Sequence, residues 1–507
     1  MTTTRTNPDG PARPLRVAIV GAGFGGLATA IELKRHGVAD FTVFERHEHV
    51  GGVWQANSYP GAACDVPSII YQFSYAMNED WKRRFGSQAE IRAYLDDVAR
   101  RFGILDHVRF GTAVEGVAYD DDSGRWTVTL ADGSSERFDV VACANGQLSR
   151  PKVPDVPGRE TFAGAQFHSA RWDHDVDLAG KRVAVVGSGA SAVQIVPAIV
   201  DAAAHVTVIQ RSANWIVNKY DWAPSRLEQV LLTRIPPLMQ LYHLAMWWWF
   251  EARVPLIYRW IDPLRRLWEA HLRRGIRRKV GDPAKAAAVT PDYALGCNRV
   301  LLSSQWYPTI ARDDVSVVAS GVERVTESGL IAGDGTVVDA DVLVWSTGFT
   351  PTEYLAPMRI SGRDGRDLHR QWRDGPEAYL GLATPGFPNL FMVYGPNTGS
   401  LTNTIIFLLE RQAAYIRQAV EHLRAADVAS VEVREDVHRR FNERVQARLR
   451  KTVFTTGCPG WYATESGKVT QVWPGSHVAY ARATARFRAE DYHQRPAVAA
   501  AREPVAG

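Results

Sequence analysis

The chain has 507 residues, of which 46% are hydrophobic and 22% charged; this is enough to bury two or three cores and excludes a disordered chain. A formal charge of +4, with basic residues spread along the sequence, leaves no footprint for nucleic acid. Cys64, Cys143, Cys297 and Cys458 are far apart and form no C-x-x-C pair, so neither a metal site nor a redox disulfide is expected, which argues against a disulfide reductase.

Residues Met1 to Arg16 are polar, rich in Thr, Pro and Arg, and lack an apolar signal-peptide core; they read as a frayed leader on a cytoplasmic protein. Leu15 to Val20 is then a short apolar run that leads directly into Gly21-Ala22-Gly23-Phe24-Gly25-Gly26 and an apolar-periodic stretch to His36. The pattern predicts strand, tight turn and helix. Gly21 permits the turn, Gly23 lets the backbone approach a pyrophosphate, and Gly26 lets helix and strand lie close, with the helix N-terminus facing the phosphates. A second strand, Phe41 to Phe44, ends at Glu45, whose carboxylate is placed to accept hydrogen bonds from an adenosine ribose. That chemistry suits a nucleotide without a 2′-phosphate, such as FAD.

The design recurs at Lys181 to Val186, followed by Gly187-Ser188-Gly189-Ala190-Ser191-Ala192, with alanine at the third glycine position. Here the next strand, His205 to Ile209, ends in Gln210-Arg211-Ser212. A guanidinium and a hydroxyl replace the carboxylate, which favours a 2′-phosphate and therefore NADPH. FAD and NADPH sites in one chain imply a flavin reduced by hydride transfer.

Between the two units, Phe162, Gly164, His168, Trp172 and Asp173 spell F-x-G-x-x-x-H-x-x-x-W-D. His168 has no second ligand at metal-binding spacing and reads as a structural histidine. From about 220 to 285 the pattern is helical: Leu227, Val230, Leu231 and Ile235 share one face, Trp247-Trp248-Trp249-Phe250 follows Pro236-Pro237, and a second, arginine-rich helix runs from about Pro255 to Arg278. The apolar part is too short to span a bilayer. Three successive tryptophans cannot all face one interior, so the Trp247 to Phe250 region is expected to expose apolar surface, to a dimer partner, a membrane or bulky substrates. From about Gln494 the chain reads as disordered.

The F-x-G-x-x-x-H-x-x-x-W-D segment between two glycine-rich fingerprints resembles type I Baeyer-Villiger monooxygenases, within the class B flavoprotein monooxygenases. The resemblance extends over nearly the whole chain. Gly51-Gly52-Val53-Trp54, Tyr59 to Ala62, and Cys64-Asp65 look like the family's flavin-side loop. Cys143 to Pro151, containing Gln147, resembles the crossover to the NADPH domain, and Trp345 to Phe349 the crossover back. Gly386 to Thr398 resembles the strand and turn returning under the flavin, with a helix beginning at Thr404. In that returning turn, backbone N–H groups are expected to point at the isoalloxazine.

The resemblance further implies that Tyr71, Val114 and Ile405 contact cofactor and that Arg299, in Gly296-Cys297-Asn298-Arg299, supplies the cation for the reaction, oriented by Asp65. The expected reaction uses NADPH and O2 to make a C4a-peroxyflavin that converts a ketone to an ester or lactone, with Arg299 stabilising the oxyanion. Asn298 stands where the family commonly has lysine, so Arg211 and Ser212 would carry 2′-phosphate recognition. Trp461, in Cys458-Pro459-Gly460-Trp461-Tyr462, resembles a tryptophan that contacts the nicotinamide nucleotide.

The implied fold is α/β: a two-dinucleotide-binding-domain flavoprotein with three-layer, Rossmann-like FAD and NADPH domains and a helical insert. Residues 1–150 and 385–507 would form the FAD domain and 151–384 the NADPH domain. Oxygenation of sulfur or nitrogen is the near alternative. A nonenzymatic flavoprotein recruiting a partner through the Trp-rich helix is the remote one.

Overall fold

The computed structural model describes residues 14–253, 262–426, 428–455, 462–464 and 466–496. Its frame is a pair of five-stranded parallel sheets. The first has the order Leu390–Met392, Val140–Cys143, Val17–Val20, Phe41–Phe44, Val108–Arg109. Its strands are apolar on both faces, as a sheet covered on both sides requires. Val17, Ile19, Val43 and Val140 pack toward the helices Phe24–Arg35 and Ile405–Ala425. The alternate residues Ala18, Val20, Phe44 and Val141 pack on an antiparallel sheet containing Val114–Asp120, Arg125–Leu130 and Ser135–Phe138. Three layers result.

The second sheet repeats the plan with Val315–Val318, His205–Ile209, Arg182–Val186, Val342–Trp345 and Ala165–His168. Val183, Val185, Val206 and Val208 face the helix Ala190–Ile199, while Ala184, Val186 and Leu343 face a meander built from Val322–Thr326, Gly329–Ala332 and Val337–Asp339.

Sheet pairing moves one expected boundary. Arg359–Ser361 adds a parallel strand beside Val114–Asp120 to the second layer of the first domain, and Tyr354, Met358, Leu368 and Trp372 join its core. This packing agrees with the crossover back read at Trp345–Phe349 rather than with the boundary drawn at 385. Apolar residues between 350 and 384 carry no periodicity that separates one α/β core from the other.

Three other expectations change. Arg16 is anchored rather than frayed: its backbone N–H donates to Asp139 Oδ2 at 2.9 Å, whereas the leader before residue 14 lies outside the described residues. Tyr492–Pro496 is a strand paired antiparallel with Val428–Val433, so order extends past Gln494. Cys297 is disulfide-bonded, while Cys64 and Cys143 are free and buried. Spacing along the chain says little about which thiols meet in space.

The insert forms the helices Arg226–Arg234, Pro236–Glu251 and Asp262–Val280. Met239 and Trp247 are buried against Ile69 and Ile70 of the first domain. Of the three tryptophans, Trp247 turns inward onto Phe407 (5.0 Å between rings), and Trp248 and Trp249 are exposed.

Candidate active site

Both glycine turns open, at the C-terminal ends of their sheets, onto a cleft of about 1580 Å³. The turns have the same construction. Gly21 (φ +102°) and Gly187 (φ +117°) adopt backbone angles that L side chains rarely take, and a Cβ on either would strike the carbonyl of the crossover opposite, Ala144 or Ser346. The following helices begin at Gly23 and Gly189 without any side-chain cap, so their first N–H groups face the cleft unclaimed. Two buried polar atoms on cleft-lining residues, Asn145 Oδ1 and Ser346 Oγ, also lack a partner among the described residues. A diphosphate would satisfy the helix N–H groups.

On the first-domain side the cleft is lined by Gly21, Gly23, Glu45, Gly52, Val53, Trp54, Asp65, Tyr71, Val114, Gln147 and Ile405. Glu45 is buried, with one oxygen accepting from the Ala22 N–H at 2.7 Å and the other from the His47 N–H at 3.0 Å. It stiffens the turn as well as presenting its remaining lone pairs. Trp54 donates its indole N–H to Tyr71 Oη (3.1 Å), fixing one aromatic wall. Gln147 donates to Tyr354 Oη and to the Tyr394 carbonyl, both at 3.1 Å.

On the other side stand Gly187, Ser188, Gly189, Ser191, Arg211, Ser212 and Arg299. Gly26 and Ala192 do not line the cleft. Each lies at the contact between its helix and strand, where a Cβ on Gly26 would be 1.8 Å from the Gly21 carbonyl oxygen, while Ala192 is accommodated in the core. Trp461 lies outside the described residues.

Arg299 reaches Asp65 across the domain boundary, with Nη2 2.6 Å and Nε 3.0 Å from Asp65 Oδ2. The Asp65 carboxylate holds the guanidinium above its already high pKa, so the cation is permanent. Arg299 keeps 49% of its side chain accessible and lines the cleft, so the pair is not a closed structural bridge.

His168 behaves as a structural residue. The Ala170 N–H donates to its Nδ1 at 3.0 Å, so Nε2 carries the proton and donates to the Gly348 carbonyl at 3.0 Å. It thereby ties the strand Ala165–His168 to the return crossover.

Sequence reasoning missed several contributors. Gln194, the one amide in the apolar helix Ala190–Ile199, donates to the Ala63 carbonyl (2.8 Å) and accepts from Tyr59 Oη (2.9 Å), pinning the second domain to the flavin-side loop. A lone amide in that helix was the available signal. Asn214 holds the Ser188 carbonyl at 2.9 Å, and Tyr394 lines the cleft near Arg299. Of the N–H groups expected to face a ligand in the returning turn, those of Tyr394 and Asn397 are taken by Gln412 Oε1 and the Thr470 carbonyl, and at the start of the following helix those of Thr404 and Ile406 are taken by Asn403 Oδ1 and Thr404 Oγ1.

A family model described as flavin-binding monooxygenase-like matches residues 14–253. The chain is 44% identical to a protein named Baeyer-Villiger monooxygenase from Streptomyces coelicolor, with 96% of this chain and 94% of that protein covered. The chain belongs to the Baeyer-Villiger monooxygenase family. Among solved structures, an oxidized steroid monooxygenase bound to NADP is 28% identical with a TM-score of 0.85, covering 95% of this chain and 99% of that one. OTEMO in complex with FAD and NADP is 25% identical with a TM-score of 0.87, covering 96% and 100%. Likeness over whole chains makes the two-sheet architecture the family's own. Within that architecture, the Baeyer-Villiger chain here brings its acid and its cation from different domains, so their meeting depends on how the domains stand.

Proposed function

We propose that the protein is a cytoplasmic, FAD-dependent, NADPH- and O2-consuming Baeyer-Villiger monooxygenase that converts ketones to esters or lactones. The observation that carries the reading is the Asp65–Arg299 pair, open to a cleft between two dinucleotide turns. The first turn, with Glu45, Trp54, Tyr71, Val114, Gln147 and Ile405, would hold FAD; the second, with Ser188, Ser191, Arg211 and Ser212, would hold NADPH. Bound FAD would accept hydride from NADPH and activate O2.

The chain's own contribution is electrostatic. Arg299 presents a fixed positive charge to the oxygen that becomes negative when a ketone carbonyl is attacked. Asp65 holds the guanidinium in place at Nε and Nη2, and the remaining N–H groups of this cleft-lining side chain would serve as donors. Because the cation is permanent, its help does not depend on pH across the physiological range.

The test is product analysis with the FAD-loaded protein, NADPH, O2 and a molecule containing both a ketone and a thioether. Ester or lactone is expected. Arg299→Ala should lower its rate by about 10²–10³-fold, the usual cost of removing an oxyanion donor, while FAD remains bound. Sulfoxide as the sole product, unaffected by the substitution, would move the assignment to heteroatom oxygenation.

A further inference from the structure

The helix Pro236–Glu251 is apolar on both sides. Its inner side, including Met239, Tyr242, Met246 and Trp247, packs on the first domain. The outer side, at helical spacing, is Leu241, Leu244, Ala245, Trp248, Trp249 and Ala252, all exposed and uncharged. A helix facing only water would carry charge there.

Two other helices of the insert do the same. Arg226–Arg234, which packs against it, exposes Leu227, Val230 and Leu231, and Asp262–Val280, further along the chain, exposes Leu264, Leu267 and Trp268, at spacings that place each set on one face of its own helix. Among the described residues, 11 of the 16 large hydrophobic side chains that stand exposed fall between Leu227 and Trp268. Apolar surface concentrated in this way marks an interaction site.

The charge is concentrated too, against the even spread expected from the sequence. Residues 226–280 contain eleven Lys and Arg against four Asp and Glu, a net +7 in a chain of net +4, so the remainder is net −3. Arg226, Arg234, Arg266, Arg274, Arg277 and Arg278 are exposed on the same helices as the apolar stripes. The Arg253 guanidinium lies over Trp249 at 5.1 Å and over Phe250 at 4.5 Å, joining charge to the aromatic end of the helix. No described helix is long and apolar enough to cross a membrane.

Exposed Leu and Trp on helices that also expose arginines with no ion pair among the described residues have the chemistry of a segment lying in a bilayer interface. We propose that the exposed faces of the helices Arg226–Arg234, Pro236–Glu251 and Asp262–Val280 dock the enzyme on anionic lipid bilayers. Trp248, Trp249 and Leu244 would enter the headgroup boundary, and the arginines would meet lipid phosphates. A second copy of the chain is disfavoured as occupant because it would bring the same +7 against itself. The insert also touches the cleft wall, since Asn403, which lines the cleft, donates to the Trp247 carbonyl at 3.1 Å. Docking would thus hold the cleft close to a phase in which apolar ketones dissolve.

The test is cosedimentation of the FAD-loaded full chain with vesicles of phosphatidylcholine containing 30% phosphatidylglycerol, or of phosphatidylcholine alone. Binding is expected only with the anionic lipid and should weaken in high salt. Arg274→Glu with Arg277→Glu and Arg278→Glu should lower partitioning about 100-fold or more, at roughly fivefold per basic residue lost. Trp248→Asp with Trp249→Asp should abolish stable binding while turnover of a water-soluble ketone is unchanged, which also shows that the variant folds. Absence of binding to anionic vesicles, equal binding to both lipids, or binding unaffected by the tryptophan substitutions would overturn the proposal. A dimer in sedimentation that the tryptophan substitutions dissociate, without vesicle binding, would reassign the face to self-association.

Discussion

The two glycine turns share one backbone plan and differ in how firmly they are built. In the first, Gly26 sits where a Cβ would be 1.8 Å from the Gly21 carbonyl, and Glu45 is buried and fastened by two backbone N–H groups. In the second, Ala192 fits where glycine was needed before, and Arg211 is exposed, with no carboxylate partner among the described residues. A preformed site has little ordering cost left when its ligand binds, whereas an exposed guanidinium is ordered by the ligand itself. The first arrangement suits a resident flavin, and the second a nucleotide that enters and leaves in each cycle.

That contrast can be broken most forcefully at Gly26. Gly26→Ala should cost stability at the upper end of the ~1–3 kcal/mol typical of overpacking and leave the protein largely without flavin, read from the ratio of flavin to protein absorbance. Ala192→Gly, the mirror change, should cost only about 1 kcal/mol of helix stability and leave FAD content untouched. Equal losses at both positions would show that the two turns are packed alike.

A finer test lies at the strand ends. Arg211→Ala should raise KM for NADPH about 10- to 100-fold, the worth of one or two hydrogen bonds to a charged group, with KM for NADH unchanged. Were both to rise together, Arg211 would be positioning the turn and not reading a 2′-phosphate.

The smallest effect concerns the link between the units. Burial pushes His168 down to about 4, although its bond to the Gly348 carbonyl opposes the shift. The unfolded chain therefore binds a proton near pH 6.5 that the native state refuses until about 4. Its contribution to stability is full above pH 6.5 and is lost as pH falls toward 4. His168→Gln should accordingly show a smaller drop in thermal midpoint between pH 7.5 and 5 than the parent protein.

Much of this was legible in the sequence because it is local. Glycine spacing, apolar strands and the residues that end them specify each turn within about 30 residues, and a side chain lying against its own turn, such as Glu45, cannot be far from where the pattern puts it. The antiparallel layers were harder to assign. Arg359–Ser361 joins the first domain because its edge pairs with Val114–Asp120, and nothing within the segment distinguishes that partner from the nearer sheet. Gln194 looked like a stray polar residue until Ala63 and Tyr59 were brought against it.

The sequence by itself determined the two nucleotide units, their order and the chemical contrast between Glu45 and Arg211, since each depends on neighbours a few residues away. Only the tertiary structure decided that Asp65 and Arg299 meet at 2.6 Å across 234 residues, that Cys297 is bridged, and that Trp247 turns inward while Trp248 and Trp249 face out. Those outcomes depend on how separately folded layers pack, and residues remote in the chain acquire a fixed distance only when that packing is complete.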